Sequence, residues 1–245
     1  MGRRGSQDAA VLLWGGYDLR GTTTDYVLEK ESPLEDTTVI GDSDSSQQAV
    51  GFIKTMLSLN GFYDDAANAS NAALVGPANT RPLVLALEGN TAGKAFVGVA
   101  GAIEYKYNRV VKVGSLHKAN ASFAMTGKVD EGKIQVTQQT ISGVATSTRP
   151  TVDNGAATAN GGAGYLEIVG LTLGGYTSVT VTVQDSADGS TGWATILTHT
   201  AATVAPFADV VAITGAVRRY TRAIVTFNGT GSSQSITLFQ GFARR

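Results

Sequence analysis

Alternation of apolar and polar residues, broken at short intervals by turn residues, constrains this chain more than any other feature. In Ser178-Val-Thr-Val-Thr-Val-Gln184 the valines at 179, 181 and 183 share one face, while Ser178, Thr180 and Thr182 share the other. That is the period-2 pattern of a half-buried strand. Rougher runs of the same kind cover Tyr26–Lys30, Lys54–Phe62, Pro82–Glu88, Phe96–Tyr107, Val110–Leu116, Ser122–Thr126, Lys133–Ile141, Tyr165–Leu171, Thr195–Thr200, Arg219–Phe227 and Ser235–Phe242. Strands repeating about every 8 to 15 residues predict a mainly β chain of sandwich or barrel topology. One short helix is expected over Asp64–Leu74, opened by acids and closed before Gly76-Pro77.

Two stretches interrupt the strand pattern. Glu31–Gly51 is long, acidic and polar, more than a compact domain needs for an idle connection, and reads as an arm or binding element. Residues 146–163 form a Gly/Ala/Thr/Asn tract of flexible-linker composition. The expected organisation is therefore a first domain over 1–145, a linker over 146–163 and a smaller β-sandwich over 164–245.

Charge is sparse and sorted. Charged residues are 16% of the chain and the net charge is −1, against roughly 25% charged in an ordinary globular domain. Asp25, Glu29, Glu31, Glu35, Asp36, Asp42, Asp44, Asp64 and Asp65 share their segment with only Lys30 and Lys54. Lys94, Lys106, Arg109, Lys112, Lys118, Lys128 and Lys133 then outnumber Glu104, Asp130 and Glu131, and the last 28 residues hold five arginines and no acid. Such sorting suits solvated loops, or complementary patches through which copies of the chain dock on one another.

The residues give catalysis little to work with. With no Cys there is no disulfide, thiolate nucleophile or cysteine zinc site, and His117 and His199, expected at the surface or rim, leave little for a proton relay. Gly89-Asn-Thr-Ala-Gly93-Lys94-Ala95 has one residue too few between its glycines for a phosphate loop, and Ala95 replaces the metal-binding hydroxyl, so it reads as a turn. Gly98 and Gly101 lie in a strand pattern and read as a bulge. Asp185–Ser190 lacks the ligands of a calcium loop, and no Gly-x-Ser-x-Gly elbow occurs. Glu35-Asp36 and Asp64-Asp65 are adjacent acids that point apart, unlike a glycosidase pair. Tyr105 and Tyr107 interleave with bases, but a pI near 6.1 argues against a dedicated nucleic-acid face. No window is apolar enough to span a membrane, and the N-terminus lacks the hydrophobic run of a signal peptide. A non-enzymatic chain without cofactors or metals is expected.

Three N-terminal stretches resemble the major tail (tail tube) proteins of long-tailed bacteriophages: Gly16-Tyr-Asp-Leu19, Leu34-Glu-Asp-Thr-Thr-Val-Ile-Gly-Asp-Ser43 and Met56-Leu-Ser-Leu-Asn-Gly-Phe-Tyr-Asp64. Val183-Gln-Asp-Ser-Ala-Asp-Gly189, Trp193, Arg218-Arg-Tyr-Thr-Arg222 and Phe239-Gln-Gly-Phe-Ala-Arg244 extend the resemblance to the second half. Arg20 stands where that family more often has Ser or Thr, and Asp44 where a bulky or basic residue is commoner.

The resemblance implies a tail-tube-type β-sandwich or barrel with one short helix, followed by a smaller C-terminal sandwich that decorates the tube. It implies homohexameric stacked rings, or trimers if the second part is itself a tube domain, assembled in the host cytoplasm and resident in the virion tail. Tape measure and tail completion or terminator proteins would be partners, and double-stranded DNA would pass through transiently and without specificity. Ser32, Glu35, Asp36, Asp42 and Asp44 are then candidates for an inter-subunit loop, with Lys106, Arg109, Lys112 and Lys118 as complementary bases. A virion-associated carbohydrate-binding, adhesin or capsid-decoration sandwich is the alternative reading.

Overall fold

A computed structural model describes residues 11–32, 34–36, 48–50, 53–66, 70–76 and 79–245. In chain order the elements are β1 (Val11–Trp14), β2 (Tyr17–Asp18), β3 (Thr23–Glu31), β4 (Leu34–Asp36), β5 (Gln48–Val50), β6 (Lys54–Phe62), α1 (Ser70–Leu74), β7 (Thr80–Ala86), β8 (Ala95–Val110), β9 (Lys118–Ser142), β10 (Thr146–Thr148), β11 (Val152–Asp153), β12 (Gly162–Thr172), β13 (Ser178–Ser186), β14 (Ala194–Thr198), β15 (Phe207–Ile213), β16 (Tyr220–Asn228) and β17 (Ser235–Arg244). The fold is mainly β, 63% strand and 2% helix, in antiparallel sheets that do not close into barrels.

β9 organises the fold. Its Lys118–Ala124 stretch pairs with β6, Lys118–Lys133 pairs with β8, and Lys133–Ser142 pairs with β17. Because Lys118 faces both Phe62 and Val110, and Lys133 both Ala95 and Phe242, β6 and β17 share one edge of β9 and β8 holds the other. The resulting ten-stranded sheet runs β15-β12-β17-β9-β8-β7-β1-β2, with β6 and then β3 branching from β9. A second sheet, β10-β16-β13-β14 with β11 also on β16, and the β4-β5 pair complete the topology.

The alternating valines do what their spacing predicts. Val179 and Val181, with Val225 and Phe227, pack on Val136, Leu166, Ile168 and Leu238 to form a sandwich core. β1 lacks alternation because both of its faces are buried. Leu12 and Trp14 join Leu57, Leu59, Leu83, Phe123 and helical Leu74, while Val11 and Leu13 join Phe96, Tyr165 and Phe239 on the other side.

Several sequence expectations change in detail. Ser122–Thr126 and Lys133–Ile141 belong to one strand, since Gly127 at φ 87 bends β9 while its pairing with β8 continues on both sides. Val110–Leu116 is not a strand: pairing ends at Val110 opposite Lys118, and Gly114 at φ 77 and a Ser115 amide donating to the Lys112 carbonyl turn the chain back. Among the described residues the helix covers Ser70–Leu74, and the Asp64 carboxylate accepts from the Ala66 amide ahead of it. Within 146–163, β10 and β11 pair with β16, and Arg219 holds Asp153 through two bonds of 2.8 and 2.6 Å. Val136 and Ile141 of β9 thus share a core with residues of β12, β13, β16 and β17, and β10 and β11 belong to the sheet of β13 and β16.

The β1–β2 turn seats the N-terminal strands on the second half. Gly16 has φ 85, and a Cβ there would lie 2.4 Å from the Phe207 amide nitrogen and 2.8 Å from the Ile168 carbonyl oxygen. Gly16→Ala must therefore displace backbone as well as adopt an unfavourable φ, and is expected to cost about 2 kcal/mol or more. Gly89→Ala, at φ 101 with no neighbouring atom within 4 Å, is expected to cost only about 1 kcal/mol. Urea-unfolding midpoints of the two variants check this difference.

Candidate assembly interface

β3, β6, the first part of β9 and the last part of β8 form a four-stranded patch whose two outer edges are unpaired among the described residues. β3 pairs only with β6. β7 leaves β8 after Thr80 opposite Ile103, so Glu104–Val110 is paired on its β9 side alone. Rows across the patch follow from the register: Asp25, Asn60, Asn120 and Asn108 align, as do Val27, Ser58, Ser122 and Lys106. Leu57, Leu59, Ala121 and Phe123 on the alternate positions face the core, leaving these rows on the opposite, polar face. Asn60 Nδ2 donates to Asp25 Oδ1 at 2.6 Å across the first row.

The β8–β9 hairpin carries the candidate bases. Lys106 and Arg109 lie on β8, Lys112 in the turn and Lys118 at the start of β9. None forms an ion pair among the described residues. Arg109 is held by stacking over Tyr63 at 5.2 Å and Tyr107 at 5.4 Å, and Nη2 donates to Asn71 Oδ1 at 2.9 Å. With Val111 and His117, Tyr63 and Arg109 line an open recess of about 230 Å³. Beyond it Val111, Val113 and Leu116 are exposed.

The candidate acids are placed elsewhere. Ser32 follows β3 and is exposed. Glu35 and Asp36 lie in β4, opposite Ala49 and Gln48 of β5, and Asp42 and Asp44 lie outside the described residues. β3 and β6 meet at this end through Glu31 opposite Lys54, the end away from the hairpin turn. The structure thus groups the four bases on one hairpin and leaves the β4–β5 acids at the far end of the patch.

Several polar groups gained roles that spacing did not reveal. His199, expected at the surface, is fully buried because Gly164 leaves room beneath its ring, and its Nδ1 lies 3.1 Å from Asp209 Oδ2. Asp188 is the hub of the 185–190 turn, accepting from the Ser190 and Thr191 amides, the Thr191 hydroxyl and Ser186. Those bonds hold its carboxyl well below the usual carboxylate range. Trp14 is fully buried, and Arg222 covers Trp193 at 4.0 Å. Among the described residues no group of three or more acids and histidines is gathered to hold a metal ion.

The core also holds charge. Arg81 stacks over Trp14 at 4.8 Å and Tyr17 at 5.2 Å, and its field reaches both Glu104 and Glu167. Glu104 is fully buried, and among the described residues neither of its carboxyl oxygens has a hydrogen-bond partner. Glu167, equally buried, accepts from the Gly16 amide, while its other oxygen is unpartnered. Burial raises both, Glu104 to about 7 and Glu167 well above the ordinary value, against the opposing pull of Arg81. No sequence signal distinguished these acids from solvated ones, since each sits singly in a strand.

No family model matches the chain, and no curated protein matches it. Among solved structures it is similar to the tail of an empty gene transfer agent particle refined with C6 symmetry, at 13% identity and a TM-score of 0.39, covering 52% of this chain and 97% of that one. A subunit of the native gene transfer agent virion is similar at 11% identity and 0.39 over 52% and 97% of the two chains. The Dit protein of phage SPP1, described as a hub of the adsorption apparatus in phages infecting Gram-positive bacteria, is similar at 12% identity and 0.34 over 95% and 98%. The three neighbours are described as tail, virion and adsorption-hub components.

Glu104 gives the buried charges a measurable consequence. Its folded pKa, about 7, lies above the ordinary 4.5, so its contribution to stability is fully present below pH 4.5 and is lost as pH rises toward 7. The loss amounts to at most about 3 kcal/mol. Glu104→Gln is expected to weaken this decline, leaving a smaller fall in Tm between pH 5 and pH 8 than in the parent. Thermal unfolding followed across that range checks the sign.

Proposed function

We propose that this chain is a structural tail protein whose copies polymerise into stacked rings forming a tube through which DNA passes. The observation that carries this reading is the pair of unpaired edges flanking one four-stranded patch. An unpaired edge invites another strand. Here the β3 edge bears Asp25, Glu29 and Glu31 and the β8 edge bears Lys106 and Arg109. Pairing β3 of one copy with β8 of the next is head-to-tail and closes into a ring if the rotation per copy allows it. The patches would then join into a continuous barrel, giving the open sheet the closure it lacks alone.

The resemblance of the N-terminal motifs to tail tube proteins supports the same reading and favours six copies per ring, with three as the alternative. The polar face of the patch suits the bore. Its Asn and Ser rows offer no dense cation array, so phosphates would gain little by binding, and DNA would slide without lodging. The arm containing Ser32, Glu35, Asp36, Asp42 and Asp44 would reach Lys106, Arg109, Lys112 and Lys118 of a neighbouring copy. Partners at the ends and inside the tube would be the tape measure and the tail completion or terminator proteins. A sugar-binding reading finds less support, because Trp14 is buried and Arg222 covers one face of Trp193.

Negative-stain electron microscopy of the purified full chain tests the proposal. Rings or tubes with a bore near the roughly 20 Å width of duplex DNA are expected; a monodisperse monomer at high concentration would overturn it. Deleting residues 32–49, which removes β4 and most of β5, is expected to leave folded subunits, with a cooperative thermal transition and β-rich circular dichroism, that no longer polymerise. Normal polymers from that variant would remove the arm from the assembly contact.

A further inference from the structure

We propose that the apolar turn of the β8–β9 hairpin in one copy seats on Leu34 and Ile53 of a second copy, fixing the axial stacking of successive rings. This inference rests on the tail-tube reading and names a contact perpendicular to the ring-closing edges.

The hairpin turn is unusually apolar for a surface loop. Val113 is 100% exposed and Leu116 72%, with Val111 beside them and Val110 at the base. Single exposed apolar side chains are ordinary, but several on one short turn mark a surface reserved for a partner. The turn projects past the last pairs of the patch, Val110 with Lys118 and Phe62 with Lys118.

The matching surface lies at the other end of the same strands. Leu34 is 63% exposed and Ile53 60%, and they flank the Glu31–Lys54 pair that ends β3 and begins β6. β6 spans nine residues between the two ends, about 30 Å of extended chain. One copy therefore cannot bring its own turn onto its own far end.

Charge distinguishes the occupant. Arg109, Lys112 and Lys118 surround the turn without ion pairs among the described residues, whereas Glu29, Glu31, Glu35 and Asp36 outnumber Lys30 and Lys54 at the far end. A second copy thus supplies apolar surface and opposite charge together. Because the two surfaces sit at opposite ends of the same antiparallel strands, the contact is heterologous and open, and propagates along the strands as a filament. The lateral edges close the ring, and the two ends extend it.

The test uses the full chain carrying V113D and L116D, with V204D, an exposed position in the second half, as control. The double variant is expected to keep its circular dichroism and Tm and to form single rings. Its mean number of rings per particle should fall about tenfold or more by electron microscopy and sedimentation, while V204D forms tubes like the parent. Ile53→Asp, altering the other surface, is expected to reproduce the loss. Tubes of parental length from V113D/L116D would overturn the stacking contact and leave the tube reading standing. Loss of stacking in V204D as well would also overturn it, as would flotation of the parent but not V113D/L116D with vesicles of anionic phospholipid while both still form tubes. A parent chain that forms no rings under any of these conditions would overturn the tube reading itself.

Discussion

A strand has two rows of backbone donors and acceptors, and the structure depends on β9 being paired from end to end, on both edges over Lys118–Ala124, with β8 alone up to Lys133 and with β17 from Lys133 to Ser142. β8 takes one row, and β6 and β17 share the other. This arrangement places two hydrophobic cores along a single strand and leaves β3 and the end of β8, among the described residues, paired on one side only. Buried peptide groups are almost always paired, so an unpaired edge can exist only at a surface, or at an interface with another chain.

The seam between the two cores is held by backbone proximity and buried charge together. Gly16 brings the β1–β2 turn against β12 and β15, where its amide meets the Glu167 carboxyl. Arg81 covers the aromatic rings of that turn and bears on Glu104 from the first core. At the opposite side Asp130 accepts from the Tyr165 hydroxyl at 2.8 Å and from Arg245 at 2.7 Å. Polar groups so deeply placed are costly unless satisfied, and of these acids Glu104 has no hydrogen-bond partner among the described residues.

Strand composition and the valine face of β13 were legible in the sequence because they depend on neighbours two residues apart. The span of β9 was not: Gly127 and the bases near it resemble a turn, and only pairing with β8 carries the strand through. The exposure of Val111, Val113 and Leu116 was hidden for the converse reason, since alternation in Val110–Leu116 reads as a buried strand when its partner strand is absent. Lys106, Arg109, Lys112 and Lys118 were legible as a charge run, and hairpin geometry gathers them. The stacking of Arg109 between Tyr63 and Tyr107 required long-range register that periodicity does not contain.

Membership of β9 in both cores also sets how the molecule would bear load. A lateral force on the second sheet pulls on β13 and β16, passes through the valine core to β12 and β17, and reaches β9 along a ladder extending from Lys133 to Ser142. Drag along the strand direction would load many of those bonds in shear at once, whereas a peeling force would meet them one at a time. The same peptide backbone that shapes the four-stranded patch would therefore receive the strain, so bending of the second sheet would be felt at the edges of that patch.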